Sequence, residues 1–358
     1  MLHLKQVQWK DLMTPTRSQT LALCCAAIGA AVAVRARRAR SFDFNGKSVV
    51  IFGGSRGLGL VLARELAAEG ARLTLVARDT DELDRAWHEL EDGGATVATV
   101  ACDVRERQQV THAIAEAVAR HGGIDVLIND AGIIQVGPLE HLTLEDFQDA
   151  MATHFWGPLY AILAARPHLH ESTAARIVNI SSIGGKVAAP HLLPYTASKF
   201  ALTGLSEGLS AELAREGIRV TTVCPGLMRT GSTYNAWFKG NHRREFAWFH
   251  LADSLPGLSI DARLAARQII EACRRGDPEL VITLPARLGV LMNAVFPNAV
   301  ARAMRVVNAL LPAPHPAGHI EARSGWQSVS SIAPSILTRR TDRATRENNE
   351  MPGTPKLA

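Results

Sequence analysis

The chain has 358 residues, 47% of them hydrophobic, 20% charged and with a formal net charge of +5, enough for one large core with extensions rather than two equal domains. Residues 1–40 hold seven Lys/Arg against one Asp, and the remaining 32 Lys/Arg against 33 Asp/Glu leave a nearly neutral body, which excludes a nucleic-acid footprint. The five cysteines (Cys24, Cys25, Cys102, Cys224, Cys273) show neither metal-ligand spacing nor an even framework, so no metal site is expected and reduced intracellular thiols are.

In chain order, the first element is an uncharged, mostly apolar run from Leu21 to Val34, followed by the basic cluster Arg35 to Arg40. As a helix it covers about 21 Å, short of a hydrocarbon core of about 30 Å. One reading is a tether or shallow insertion that holds the protein on the cytoplasmic face of a membrane; the other is a soluble arm of a cytoplasmic protein. Ser48 to Phe52 then reads as a buried strand, Gly53-Gly-Ser55-Arg56-Gly57-Leu58-Gly59 as a glycine turn and Leu60 to Ala68 as an apolar-periodic helix. Such a turn suits a dinucleotide: Gly53 permits the tight turn, Gly57 allows a close pyrophosphate and Gly59 allows close helix packing. A second strand, Arg72 to Ala77, ends at Arg78, where a carboxylate would be expected on the ribose of NAD(H). With no acid there, Arg56 and Arg78 suit a 2'-phosphate and favour NADP(H) over NAD(H).

Cys102 and Cys224 fall at strand ends and read as small core residues. Alternating strand and helix patterns imply a doubly wound parallel α/β sheet, Rossmann-like, as a single domain. Tyr195 and Lys199 stand four apart in Pro194-Tyr-Thr-Ala-Ser-Lys199, thirteen residues after Ser182. In a helix they share one face, so the ammonium draws the phenol, ordinarily near pKa ~10, toward use as an acid/base. Ser182 is placed to donate a hydrogen bond to a substrate oxygen.

With these motifs in this order, the stretch from about Gly46 to about Leu284 resembles the short-chain dehydrogenases/reductases. The resemblance implies an adenine contact at Asp103, with Val104 beside it, and an Asn129-Asp130-Ala131-Gly132 turn at the cofactor. It further implies a catalytic set of Ser182, Tyr195 and Lys199, in which Lys199 lowers the tyrosine pKa and bonds the nicotinamide ribose. Pro225, Gly226 and Thr230 match the segment that holds the nicotinamide carboxamide. Two positions depart from the pattern. Phe52 replaces a turn-stabilising Thr, and His154 stands where the family has its catalytic Asn. That residue serves a proton relay largely through its main-chain carbonyl, which a histidine keeps; the imidazole either joins the relay or packs.

Beyond Gly226 the family places a mobile lid, here rich in aromatics from Tyr234 through Trp237 and Phe238 to Trp248 and Phe249. These either close over an apolar carbonyl or alcohol substrate or pack among themselves. The expected organisation is an arm over 1–40, a catalytic domain over 41–284, an amphipathic helical extension over 285–312 interrupted at Pro297, and a largely irregular tail over 313–358. The extension is read as a cover on the substrate mouth, a subunit contact, a membrane-resting face or an added packed layer. The resemblance implies a homo-oligomer built through the long helices. The leading expectation is an oxidoreductase that moves a hydride between NADP(H) and a carbonyl or secondary alcohol. The alternative is a dinucleotide-binding regulator or scaffold with reduced or no catalysis.

Overall fold

The structure, a computed structural model, describes residues 42–255, 257–314, 321–331 and 333–351. The N-terminal arm, with Cys24 and Cys25, lies outside the described residues. In chain order the strands are β1 (Ser48–Phe52), β2 (Arg72–Ala77), β3 (Val97–Ala101), β4 (Val126–Asn129), β5 (Gln135–Val136), β6 (Arg176–Ile180), β7 (Arg219–Pro225), β8 (Leu227–Arg229), β9 (Trp237–Phe238), β10 (Ser259–Asp261), β11 (Glu279–Ile282) and β12 (Arg323–Ser324). The helices are α1 (Gly57–Ala68), α2 (Thr80–Asp92), α3 (Arg107–His121), α4 (Leu144–Met151), α5 (Gly157–Glu171), α6 (Leu193–Glu212), α7 (His242–Ser254), α8 (Ala262–Arg275), α9 (Leu284–Val295), α10 (Pro297–Leu310) and α11 (Arg339–Glu347).

Seven strands make one parallel sheet in the order β11-β7-β6-β4-β1-β2-β3. Helices cover both faces, so the central strands β1, β4 and β6 are buried on both sides, and β1 reads as an apolar run rather than an alternating one. In β1, Val49 and Ile51 join a core with α1 and α8, while Val50 and Phe52 join the opposite core with α3 and α5. Phe52, the departure from the expected Thr, is therefore a packing residue, 2% exposed. The chain leaves β3 at one edge and returns to β4 beside β1, so the order reverses between β1 and β4. Crevices outside the carboxyl ends of strands at such a switch point are where ligands bind in sheets of this kind.

Over the carboxyl ends lies a smaller layer. β9 pairs with β5 and, antiparallel, with β12, while β8 pairs with β10. Phe238, Phe246, Phe249 and Tyr234 form its core with Val136. The tail differs from the expected irregular segment: its described residues carry β12 and α11. Tyr234 donates to Asp342 at 2.7 Å, and Ser254 and Thr341 share a hydrogen bond of 2.7 Å, which fasten α11 to α7 and the lid. The extension forms two helices meeting at Phe296 and Pro297, as the proline requires of a chain that must break there.

Candidate active site

The crevice is a cavity of about 670 Å³. Its lining includes Gly53, Ser55, Arg56, Gly57, Leu58, Arg78, Asp103, Val104, Ala131, Gly132, Ser182, Tyr195, Pro225, Gly226 and Thr230. Fifteen of the nineteen positions singled out in the sequence thus meet at one wall, although they span 178 positions of chain from Gly53 to Thr230. Gly59, Asn129, His154 and Lys199 stand behind that surface. Gly59 packs α1 against the turn, since a Cβ there would run into the Gly53 carbonyl. Gly53, at φ +86, could not carry a side chain either, because a Cβ would lie 2.6 Å from the Ala131 nitrogen. Asn129 is buried and donates to Asn179 at 2.8 Å, bracing the ends of β4 and β6.

α6 sets the spacing of Tyr195 and Lys199. Its first turn contains Tyr195, and Lys199 follows one turn later on the same face, with Nζ 5.7 Å from the tyrosine ring centroid. Ser182 and Tyr195 both line this cavity, so both side chains serve the same space. Ser182 Oγ also accepts from Gly184 N–H at 3.0 Å, which fixes its rotamer at the end of β6. The electrostatics differ from the sequence expectation. Burial, with Asp130 adding to it, pushes Tyr195 up to about 12 against the lowering effect of the neighbouring Ser182 hydroxyl. Lys199 donates to the Ile180 carbonyl at 2.7 Å and is opposed by Asp130; burial lowers the lysine and raises the aspartate. The cation expected to acidify the phenol is thus balanced by a carboxylate from the Asn129–Gly132 turn.

His154 is fully buried in a π-helical turn, Ala152–Trp156, between α4 and α5. The Ile133 N–H can only donate, so His154 Nε2 accepts from it at 3.1 Å, which puts the imidazole proton on Nδ1, 2.7 Å from Ser198 Oγ. Both nitrogens are committed, and burial holds the pKa well below the ordinary range, with Lys199 lowering it further. The ring stands edge-on to Tyr195 at 5.4 Å. The structure therefore corrects the idea of an imidazole in the relay: the side chain is a neutral brace between the Asn129–Gly132 turn and α6.

At the other end, Asp103 turns its carboxylate to Arg105, at 2.7 Å, and lies 4.0 Å from Arg78. Arg56 pairs with Glu82 at 2.6 Å and stands 3.6 Å from Glu350. Glu82 also accepts from Ser55 Oγ at 2.9 Å. Of the two arginines assigned to a 2'-phosphate, Arg56 is already matched by carboxylates, and Arg78 is the more available. The lid aromatics mostly pack on one another: Tyr234 stacks on Trp326 at 4.3 Å and Phe238 meets Phe246 edge-on at 5.5 Å. Trp237 alone among them faces the cavity.

The cradle fits a dinucleotide at both ends, by the glycine turn that admits no Cβ and by the Ser182–Tyr195 pair beside Pro225 and Gly226. One feature was not foreseen. Asn348 O accepts the Gly57 N–H at 2.9 Å, and Glu350 lines the cavity. Asp130 was placed in the cofactor turn without its opposition to Lys199, and Glu82 and this tail segment, read as part of an irregular tail, escaped the sequence reading because no spacing links them to the turn.

A family model described as short chain dehydrogenase matches residues 47–239. The chain is 34% identical over 192 residues to gluconate 5-dehydrogenase of Gluconobacter oxydans (strain 621H), covering 54% of this chain and 75% of that protein. Among solved structures it is similar to a short-chain dehydrogenase from Streptomyces avermitilis, with TM-score 0.63, 28% identity, and coverage of 74% of this chain and 97% of that one. It is likewise similar to a dehydrogenase/reductase from Sinorhizobium meliloti 1021, with TM-score 0.59, 31% identity, and coverage of 68% and 95%.

Proposed function

The chain belongs to the short-chain dehydrogenase family, an NAD(P)-binding oxidoreductase family acting on CH–OH or C=O groups, and from that premise we propose a Ser182-Tyr195-Lys199 reaction with NADP(H) as the preferred cofactor. The observation that carries it is the convergence of Ser182 and Tyr195 on the wall of the cleft that also holds the glycine turn. When bound, the dinucleotide supplies or accepts the hydride. Ser182 donates to the substrate oxygen and holds it against Tyr195. Tyr195 gives that oxygen its proton in reduction and removes it in oxidation. Lys199, fixed by the Ile180 carbonyl, sits behind the phenol as the charge that stabilises its deprotonated form. His154 positions Tyr195 through Ser198 and the ring contact.

Cofactor choice rests on Arg78, 55% exposed at its side chain and just past the end of β2, while the Asp79 carboxylate that follows it on the cavity wall is engaged in accepting the Glu82 N–H at the start of α2. Ile133, Ile134, Met228 and Trp237 line the cavity and suit an apolar carbonyl or alcohol. Two surfaces suit larger partners. Leu163 on α5, Phe200 on α6 and Trp156 between α4 and α5 are exposed, as a helix-to-helix contact between two copies would require. The α9–α10 hairpin has Arg287, Arg302 and Arg305 but no acid, and exposes Leu288, Leu291, Phe296 and Leu310, which suits an anionic membrane surface. No helix among the described residues is long and apolar enough to cross a membrane.

The test is nicotinamide oxidation with NADPH and NADH over ketones, aldehydes, quinones and acyl thioesters. Tyr195→Phe is expected to lower turnover by about 100-fold or more with the NADPH dissociation constant nearly unchanged. Arg78→Ala is expected to weaken NADPH by about tenfold and leave NADH alone. Wild-type turnover in Tyr195→Phe refutes the mechanism, and equal losses for both cofactors refute the role of Arg78.

A further inference from the structure

The segment Asn348 to Glu350 follows α11 and reaches back to the start of the fold. Asn348 O takes the Gly57 N–H, while its side chain donates to the Thr230 carbonyl at 3.2 Å and accepts from Arg64 at 3.2 Å. Asn349 Nδ2 donates to the carbonyls of Ser55 at 2.9 Å and Glu82 at 3.0 Å, and its Oδ1 accepts from Arg85 at 2.6 Å. Glu350 is buried, accepts from Asn235 at 2.5 Å and faces Arg56. A Cβ on Gly57 would stand 2.5 Å from its Oε1, so the glycine at φ +57 is needed for this contact as well. Asn349 holds φ +56, a conformation rare outside glycine that asparagine tolerates best and that surroundings must enforce.

We propose that Asn348, Asn349 and Glu350 are part of the cofactor site, a clasp by which the C-terminal tail joins the glycine turn to the lid and sets the shape of the dinucleotide phosphate cradle. Three observations point this way. The segment grips the turn at Ser55 and Gly57, the start of α2 at Glu82, and the lid side at Thr230 and Asn235, so it spans both jaws of the cleft. Its hydrogen bonds go to the walls, and the cavity that Glu350 helps line stays open. The Asn349 amide forks between two carbonyls of adjoining elements, a geometry that fixes their separation and so prepays ordering that a ligand would otherwise supply.

This inference rests on the reading that the cleft takes a dinucleotide. The experiment measures dissociation constants of NADPH and NADH by fluorescence for the full chain and for Asn349→Ala, with apo melting temperatures alongside. Loss of the three side-chain hydrogen bonds of Asn349 is expected to weaken both cofactors by about tenfold. The KM for cofactor should rise in step, with kcat at saturating cofactor unchanged, a split that general destabilisation would not produce. Hydrogen exchange on the wild-type chain gives a readout that needs no variant: NADPH should protect the amides of 345–350. Unchanged or tighter binding in Asn349→Ala, or faster exchange of that segment with NADPH, overturns the proposal, and the tighter case makes the tail a competitor. Failure of the wild-type chain to bind either dinucleotide instead overturns the cofactor reading beneath it.

Discussion

Tyr195 holds its proton across the neutral range, because burial and Asp130 outweigh the lowering effect of the neighbouring Ser182 hydroxyl and push it to about 12. A proton donor is what carbonyl reduction needs, and a phenolate is what alcohol oxidation needs. The sign follows: oxidation should rise with pH through 9, since each unit enlarges the scarce phenolate fraction, while reduction stays flat. Initial rates in both directions from pH 6 to 9 check this, and oxidation that declines with pH contradicts it. Asp130 sets the balance by opposing Lys199, so Asp130→Asn should leave the ammonium less matched and steepen the activation of the phenol toward lower pH. Tyr195 and Lys199 were legible at this scale, because an i,i+4 pair on a helix is a local relation. The direction of the tyrosine shift was not, since burial and a carboxylate from another loop decide it.

At the scale of elements, the glycine turn between β1 and α1 and the placement of the pair on α6 follow from local chemistry. The lid differs: its aromatics read equally as a substrate cover or as packing, and the packing of α7 on β9, with the bond from Tyr234 to Asp342 of α11, resolves most of them as packing. The α9–α10 hairpin carries the other open face. α10 has no buried residue, and Asn293 on α9 donates to the Lys186 carbonyl at 3.0 Å, which seats the pair beside the loop after Ser182. Flotation with vesicles rich in phosphatidylserine should carry the protein upward. Leu291→Asp with Leu310→Asp should cut that recovery at least fivefold while solution activity on a water-soluble carbonyl stays the same. Equal flotation of the variant, or equal binding to neutral vesicles, removes the anionic-surface reading.

The whole molecule buries ionisable groups that oppose one another in pH dependence. Burial raises Asp253 to about 8 and Glu350 to about 7, and raises Asp130 too. Above about pH 5 the folded chain therefore keeps protons that the unfolded carboxyls have lost, and stability falls as pH rises toward 8. Burial lowers His154, His121 and His250, so below the ordinary histidine value of 6.5 the unfolded chain binds the extra protons and stability rises with pH. A melting temperature that peaks between about pH 5 and 6.5 is expected, where the two effects cancel. Asp253, whose Oδ2 has no partner, is the simplest probe: Asp253→Asn should raise stability at pH 8 by about 1–3 kcal/mol and flatten the alkaline fall. A melting temperature that climbs steadily to pH 8.5 rules this out.

From sequence alone came the strand, turn and helix that open the fold, the parallel α/β class and most of the site, for one reason. Glycine positions, apolar runs and helical spacing are constraints between neighbours, and motifs carry the rest by their order. The tertiary structure decided what depends on elements far apart in the chain. It matched Arg56 with Glu82 and Glu350, spent both nitrogens of His154, set Asp130 against Lys199 and brought Asn348 to Glu350 onto a turn begun at Gly53. Such contacts leave no periodicity behind, because their strength comes from burial and exclusion of water, which exist only after the chain has closed on itself.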